Sequence, residues 1–496
     1  VDLKTIFEKQ ILKKQCSLFD LLKGFIKREV LAIGLVGQLA SYKKIKRMSS
    51  KKPIHQPSLG HKLLRSYVDI FLYSFYNRVT IVGKENVPKN APVILAINHQ
   101  NSLMDALTVL CTLRSQPVFM ARADIFKKPV VAKILRFFKI IPIFRMRDGK
   151  ENLQNNDASF DEAVGVLLDR KRLAILPEGN HFGHRRLRVL KKGIARIAFQ
   201  AEERSGFELG IQIVPVGLDY SNYINFGADL LVHFGEPFPV NKYKEMYMDN
   251  PQKAMNAFMQ ELRERMLPQM LNIDDEKDYE ELALLKDIYI KHLVYRKDLD
   301  TDHTNIRNNS QLIADKIIAF KEMEPEKFQK MADKGKEILT DLQKLDFRLW
   351  VPAKGRFLVL WSLMGTIFLF ATFPLFLVGF VFNFLPFYIP VLFTKKIKDP
   401  QFVSSIRFGF SILTFTLFYI TYLVVFLIFI SPIYYSLGTF ISVFILGLFS
   451  YEYYAIFAKN IARWRAYYFK KKENPTWIRL IQNWNELTSQ IANIIQ

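Results

Sequence analysis

Hydrophobic and polar positions change their pattern twice along the chain. From residue 61 to residue 242, short apolar runs alternate with stretches whose apolar side chains recur every three or four positions. The runs at 79–83 (VTIVG), 92–98 (PVILAIN), 139–144 (KIIPIF), 173–179 (LAILPEG), 211–220 and 230–238 read as strands. The stretches at 103–113, 129–138, 159–170 and 190–203 read as helices. This alternation predicts an α/β domain with a largely parallel central sheet, in which ligands bind beyond the carboxyl ends of the strands. Residues 61–76 (HKLLRSYVDIFLYSFY) carry a helical apolar stripe flanked by Lys62, Arg65 and Arg78. That fits either an amphipathic helix on a membrane or a core helix under the domain.

From 243 to 350 the chain is polar, dense in Glu, Lys and Asp, and predicts a solvated helical domain without a catalytic motif. Residues 351–460 predict a transmembrane helical region in two apolar blocks. The first, 357–393, is interrupted by Pro374, Asn383, Pro386 and Pro390; the second, 408–457, is broken at Ser431-Pro432. With about 20 residues per crossing, each block predicts a helical hairpin, and a re-entrant pair also fits the first. A buried soluble helical core is the rival reading. The segment 1–60 and the tail 461–496 are basic, and Met48 is expected as an alternative start.

Charge bears on orientation. Lys354 and Arg356 precede the first block, Lys395, Lys396, Lys398 and Arg407 separate the two, and Arg463, Arg465 and Lys470 to Lys472 follow the second. The expected turns near Asn383 and Pro432 carry no charge. By the positive-inside rule, two hairpins place every basic segment on the cytoplasmic face, with the α/β domain; three single spans would not. The formal net charge of +23 predicts an anionic partner. No compact basic patch is interleaved with stacking aromatics, so membrane lipids are expected and nucleic acid is not. Cys16 and Cys111 lie far apart, and no CxxC or His-rich spacing occurs. Neither a disulfide nor a metal is expected.

Four motifs fall at expected strand ends. Asn98-His99-Gln100-Asn101-Ser102-Leu103-Met104-Asp105 puts a histidine directly after a buried strand and a carboxylate about a helical turn beyond it. Histidine supplies a base near neutral pH, and a carboxylate can orient its ring and stabilise the imidazolium. Pro142 to Asp148 contains Arg145 and Arg147; an arginine there can hold a phosphate through two parallel hydrogen bonds. Pro177-Glu178-Gly179-Asn180-His181 is a glycine turn followed by Arg185, Arg186, Arg188 and Lys191. The helix expected from about Leu190 aims its positive end back at that turn, a workable phosphate cradle. Val214-Pro215-Val216-Gly217 reads as a strand shaping a pocket wall.

In this order on one α/β domain, the four motifs resemble those of the lysophospholipid and glycerol-phosphate acyltransferase family, over about residues 64–240. The resemblance implies that His99 is the general base and Asp105 its orienter. It implies that Arg145, Glu178, Gly179 and Asn180 meet the glycerol phosphate and that the Pro215 strand lines the acyl-donor pocket. Five residues separate His99 from Asp105, where most members have four; this looks like the glycerol-phosphate acyltransferases of fungi and some bacteria, which also carry membrane helices after the catalytic domain. Asn180-His181 stands where the family usually has Thr-Arg, so Arg147, His181, Arg185 and Lys191 are the further candidates for phosphate or headgroup contact.

The implied reaction moves an acyl group from acyl-CoA or acyl carrier protein, as donor substrate, to a hydroxyl of glycerol 3-phosphate or its 1-acyl derivative. It needs no bound cofactor or metal. An O-acyltransferase acting on an amino-acid lipid and a non-catalytic lipid-binding scaffold are the alternatives.

Overall fold

The computed structural model describes residues 53–56, 58–113, 115–144, 155–180, 183–296, 298–354, 359–397 and 399–496. Met48, Cys16, Arg145, Arg147, His181, Arg356 and Lys398 lie outside the described residues.

The α/β domain opens with helix α1 (Leu59–Phe75) and strand β1 (Arg78–Val82). There follow β2 (Val93–Ile97), α2 (Ser102–Thr112), β3 (Val118–Arg122), α3 (Pro129–Phe137), β4 (Ile140–Ile143), α4 (Asn155–Leu168) and β5 (Arg172–Ile175). The domain continues through α5 (Gly193–Arg204), β6 (Gln212–Tyr220), β7 (Asp229–Phe234) and β8 (Phe238–Pro239). The sheet order is β1-β7-β6-β2-β5-β3-β4, with β8 on β6. Strands β6, β2, β5, β3 and β4 run parallel; β7 is antiparallel to β6 and parallel to β1. The carboxyl ends of β2, β5, β3 and β4 therefore share one edge.

Strand β2 shows why the sheet is central. All five of its residues are buried, as expected of a parallel strand covered on both faces. Ile94 and Ala96 face a core built with Ala163, Leu167, Ile194 and Ala198 of α4 and α5. Val93, Leu95 and Ile97 face the opposite core, with Leu72 of α1 and Met104 and Val109 of α2. The alternation follows the two-residue period of a strand.

Helices α6 (Lys244–Asp249) and α7 (Pro251–Met266) belong to this domain and not to the polar helical one expected from residue 243. Phe258, Leu262 and Met266 of α7 fill the sheet's core. The separate bundle comprises α8 (Tyr279–Arg296), α9 (His303–Met323), α10 (Pro325–Lys344) and α11 (Trp350–Lys354).

Next come three long apolar helices, α12 (Val359–Thr394), α13 (Val403–Phe429) and α14 (Ile433–Lys471), and then α15 (Pro475–Ile495). The basic tail expected from residue 461 is largely α15, and it closes the bundle. Trp477, Leu480, Trp484, Leu487 and Ile491 recur at helical spacing and are buried against α8, α9 and α10.

Each of the three apolar helices is long and apolar enough to cross a membrane. The first block forms one continuous helix, α12, in place of the expected hairpin or re-entrant pair. Proline lacks an N–H and orphans the carbonyl four residues earlier. Here the carbonyl freed by Pro386, that of Phe382, accepts from Tyr422, and the carbonyl freed by Pro390, that of Pro386, accepts from Thr414. Both donors stand on α13, so the helix continues through these two prolines. Asn383, the expected turn, donates to the Gly379 and Val443 carbonyls and accepts from Tyr419, tying α12, α13 and α14 together.

Candidate active site

Asn98 fixes the end of β2. Its side chain donates to the Leu218 carbonyl at 3.1 Å and accepts from the Leu218 N–H at 2.7 Å, continuing the β2–β6 ladder. The next residue, His99, leaves the sheet at its carboxyl edge.

The turn from His99 into α2 is organised around one buried carboxylate. Asp105 is fully buried. Its Oδ2 lies 2.8 Å from His99 Nδ1 and accepts the backbone N–H groups of Gln100 and Asn101, each also at 2.8 Å. Its Oδ1 accepts from the Tyr220 hydroxyl at 2.7 Å. Burial, with Asp105 nearby, pushes the Tyr220 phenol well above its ordinary range, so it stays a donor. A carboxylate at Nδ1 fixes the proton there and leaves Nε2 as the basic nitrogen. Within this turn Ser102, the first residue of α2, adopts a left-handed φ of 48°.

Glu178 lies three residues beyond the end of β5, the strand beside β2. Expected at the acceptor, it also meets two backbone N–H groups. Its Oε1 accepts the His99 N–H at 2.7 Å and its Oε2 the Arg188 N–H at 3.3 Å. Burial pushes its pKa up to about 7, while those two N–H groups pull the other way. Glu178 thus braces the turn that carries His99. Gly179 takes a left-handed φ of 70°, and the Lys191 side chain lies over it, 3.4 Å from where a Cβ would stand. The Lys191 N–H donates to the Pro177 carbonyl at 2.7 Å. Helix α5 starts just after, at Gly193, so its positive end lies beside the glycine turn.

Arg122, not singled out in the sequence, also lies at this edge. It ends β3, on the other side of β5 from β2, and reaches Asn180 Oδ1 at 3.5 Å while pairing with Asp124. A basic residue closing a parallel strand beside the Glu178 strand was the available signal. Two strand spacings, about 10 Å, separate β2 from β3, within reach of a long arginine side chain.

Other candidates are placed differently. Arg185 turns inward: its Nε lies 3.4 Å from Asp219, and it donates to the Tyr220 carbonyl at 2.8 Å. Burial opposes the charge of Arg185, but Asp219, together with Tyr223, Asp287 and Tyr279, outweighs it and raises its pKa. The guanidinium is committed to a structural ion pair and is not presented to a phosphate. Val214 to Gly217, expected as a pocket wall, is buried in β6. A side chain at Gly217 would strike the Gln269 carbonyl, so this stretch serves close packing between layers.

Residues 78–219 match the family model described as Acyltransferase. The chain is 25% identical over 199 residues to a 1-acyl-sn-glycerol-3-phosphate acyltransferase of Borreliella burgdorferi, a match covering 39% of this chain and 74% of the relative. It is 26% identical over 176 residues to a probable 1-acyl-sn-glycerol-3-phosphate acyltransferase of Mycoplasma pneumoniae, covering 35% of this chain and 62% of the relative. A glycerol-3-phosphate O-acyltransferase 2 of Saccharomyces cerevisiae is 28% identical over 109 residues, which span 22% of this chain and 14% of the relative. Among solved structures, the 1-acyl-sn-glycerophosphate (LPA) acyltransferase of Thermotoga maritima matches at 18% identity and a TM-score of 0.28, over 46% of this chain and 89% of that one.

Proposed function

We propose that this chain, whose residues 78–219 form an acyltransferase-family domain, transfers a fatty acyl group from a thioester to a hydroxyl of glycerol 3-phosphate or 1-acylglycerol 3-phosphate. The observation that carries the reading is the contact of His99 Nδ1 with the buried Asp105 carboxylate at the edge where five parallel strands end.

In this reading His99 Nε2 removes the acceptor's hydroxyl proton as the oxygen attacks the thioester carbonyl. A C–O bond forms, the tetrahedral intermediate collapses, the C–S bond breaks, and the imidazolium returns its proton to the departing thiolate. Asp105 stabilises the imidazolium. Arg122, Asn180, Lys191 and the start of α5 receive the acceptor phosphate, together with Arg145, which the family resemblance assigns to it. Coenzyme A and acyl carrier protein both fit as thiol carriers.

The reading also places the chain in a membrane, with the catalytic domain on its cytoplasmic side. One contact supports this: Arg407, near the start of α13, reaches the Ile224 carbonyl of the catalytic domain, and the positive-inside rule puts a basic helix end on the cytoplasmic face.

The test is acyl transfer by the purified protein in nanodiscs, with glycerol 3-phosphate, 1-acylglycerol 3-phosphate and an acylated amino acid as parallel acceptors. Ester formation on a phosphate acceptor, abolished in His99→Ala, is expected. Product from the amino-acid lipid alone would transfer the assignment to that substrate class.

A further inference from the structure

The catalytic turn is held from outside its own domain. Asn101, two residues after His99, is almost fully buried. Its N–H donates to Asp105 and its side-chain amide donates to the Tyr223 carbonyl at 3.2 Å. Its other side-chain polar atom, Oδ1, accepts from Ser404 at 2.6 Å. Ser404 lies in the first turn of the apolar helix α13, 303 residues away in sequence. It is also buried, at 1% exposure, so water does not compete for the bond.

Three neighbouring contacts fix the same joint. Gln401 packs where a Cβ on Gly183 would stand, 3.1 Å from its Nε2, in the loop after Glu178. Arg407 reaches the Ile224 carbonyl, and Phe408 stacks edge-on to Phe75 of α1 with ring centroids 5.5 Å apart. The start of α13 thus touches both loops that flank His99.

The turn has a reason to need this. Five residues lie between His99 and Asp105, and the left-handed Ser102 is a conformation that a non-glycine residue holds only when its surroundings over-determine it. Asp105 fixes the turn from within and Glu178 from β5; Asn101 is the point where it is fixed from α13.

We propose that Ser404 is a positioning residue for the acyl-transfer reaction: through Asn101, the first turn of membrane helix α13 sets the geometry of the His99–Asp105 pair. The C-terminal apolar helices are then part of the catalytic apparatus as well as an anchor, and turnover depends on their being seated. This inference rests on the acyltransferase reading given above.

The experiment uses the full chain in nanodiscs and compares the wild type with Ser404→Ala, Ser404→Thr, Asn101→Ala, the Asn101→Ala/Ser404→Ala double variant and His99→Ala. Ser404→Ala is expected to lower kcat about 10- to 100-fold, the scale on which misplacement of reacting groups acts, with both KM values within about twofold. Ser404→Thr, which keeps the hydroxyl, should recover most of that loss. Ser404→Ala should add nothing in the Asn101→Ala background, because the two residues act through one bond. Wild-type kcat in Ser404→Ala, or a full second loss in the double variant, would overturn the proposal while leaving the His99 assignment intact. Absence of acyl transfer by the wild type would instead remove the acyltransferase reading. In that case hydrogen exchange over residues 98–105 decides the joint by itself. Faster exchange at Gln100 and Asn101 in Ser404→Ala supports it, and unchanged exchange sinks it.

Discussion

His99 Nδ1 and Asp105 Oδ2 stand 2.8 Å apart, and that oxygen also takes the two backbone N–H groups of the turn that joins them. One carboxylate therefore sets both the ring's proton and the turn's shape. Asp105→Asn would present an amide to donors and lose both functions. A fall in kcat of about 10³- to 10⁴-fold is expected, larger than a simple loss of charge would give. Steady-state kinetics beside a thermal melt separate this from unfolding.

Tyr220 supplies the other Asp105 oxygen. Tyr220→Phe leaves that oxygen buried without a partner, which costs about 1.5–3 kcal/mol for a hydrogen bond to a charged group. The variant should melt earlier and turn over more slowly, with KM little changed. A melting temperature equal to wild type would show that the hydroxyl is not needed to satisfy the carboxylate.

Glu178 links stability to pH. Its folded pKa, pushed up to about 7, lies above its ordinary value of 4.5. Its favourable contribution is thus fully present below the ordinary value and lost as pH rises through the folded one. Across that window wild type should lose about 3 kcal/mol relative to Glu178→Gln, which does not titrate. Melting temperatures of the two proteins, taken from about pH 5 to about pH 8, should converge or cross as pH rises; parallel curves would contradict the burial argument.

Arg122 is assigned to the phosphate by its place at the end of β3, next to Asn180. Arg122→Ala should raise KM for a phosphate-bearing acceptor by about 10- to 100-fold and affect kcat less. An acceptor of the same length without a phosphate should be handled equally by both proteins. Equal losses on both acceptors would mean that Arg122 shapes the edge through Asp124 and not through the substrate.

Packing of the apolar helices has its own test. A side chain at Gly379 would meet the Leu446 carbonyl and the Ser450 hydroxyl, whereas one at Gly409 meets nothing within 4 Å. Gly379→Leu should destabilise the bundle by about 1–3 kcal/mol, and Gly409→Leu should not. Thermal midpoints in one detergent compare them directly.

The His99–Asp105 contact and the sheet were readable because both depend on local pattern. An unbroken apolar run such as Val93 to Ile97 suits only a covered strand, and a histidine directly after it must emerge at the strand's end. The brace from Glu178 was not readable, because whether a carboxylate meets substrate or backbone depends on which strands become neighbours. Arg122 escaped for the same reason: its partner Asn180 lies 58 residues away, across β5. The expected hairpin in α12 failed on proline, whose orphaned carbonyls find hydroxyls on α13 that no local pattern reveals. The basic tail hid the stripe of Trp477, Leu480, Trp484 and Leu487 that packs α15 into the bundle.

The central claim is that His99 is the base in acyl transfer to a glycerol-phosphate hydroxyl. It is tested most directly by following thiol release and ester formation together in nanodiscs, with a labelled acyl thioester and each phosphate acceptor, for wild type and His99→Ala. The account predicts stoichiometric thiol and ester from the wild type, and a folded variant slowed by at least about 10²-fold. Ester formation by His99→Ala at the wild-type rate would contradict it.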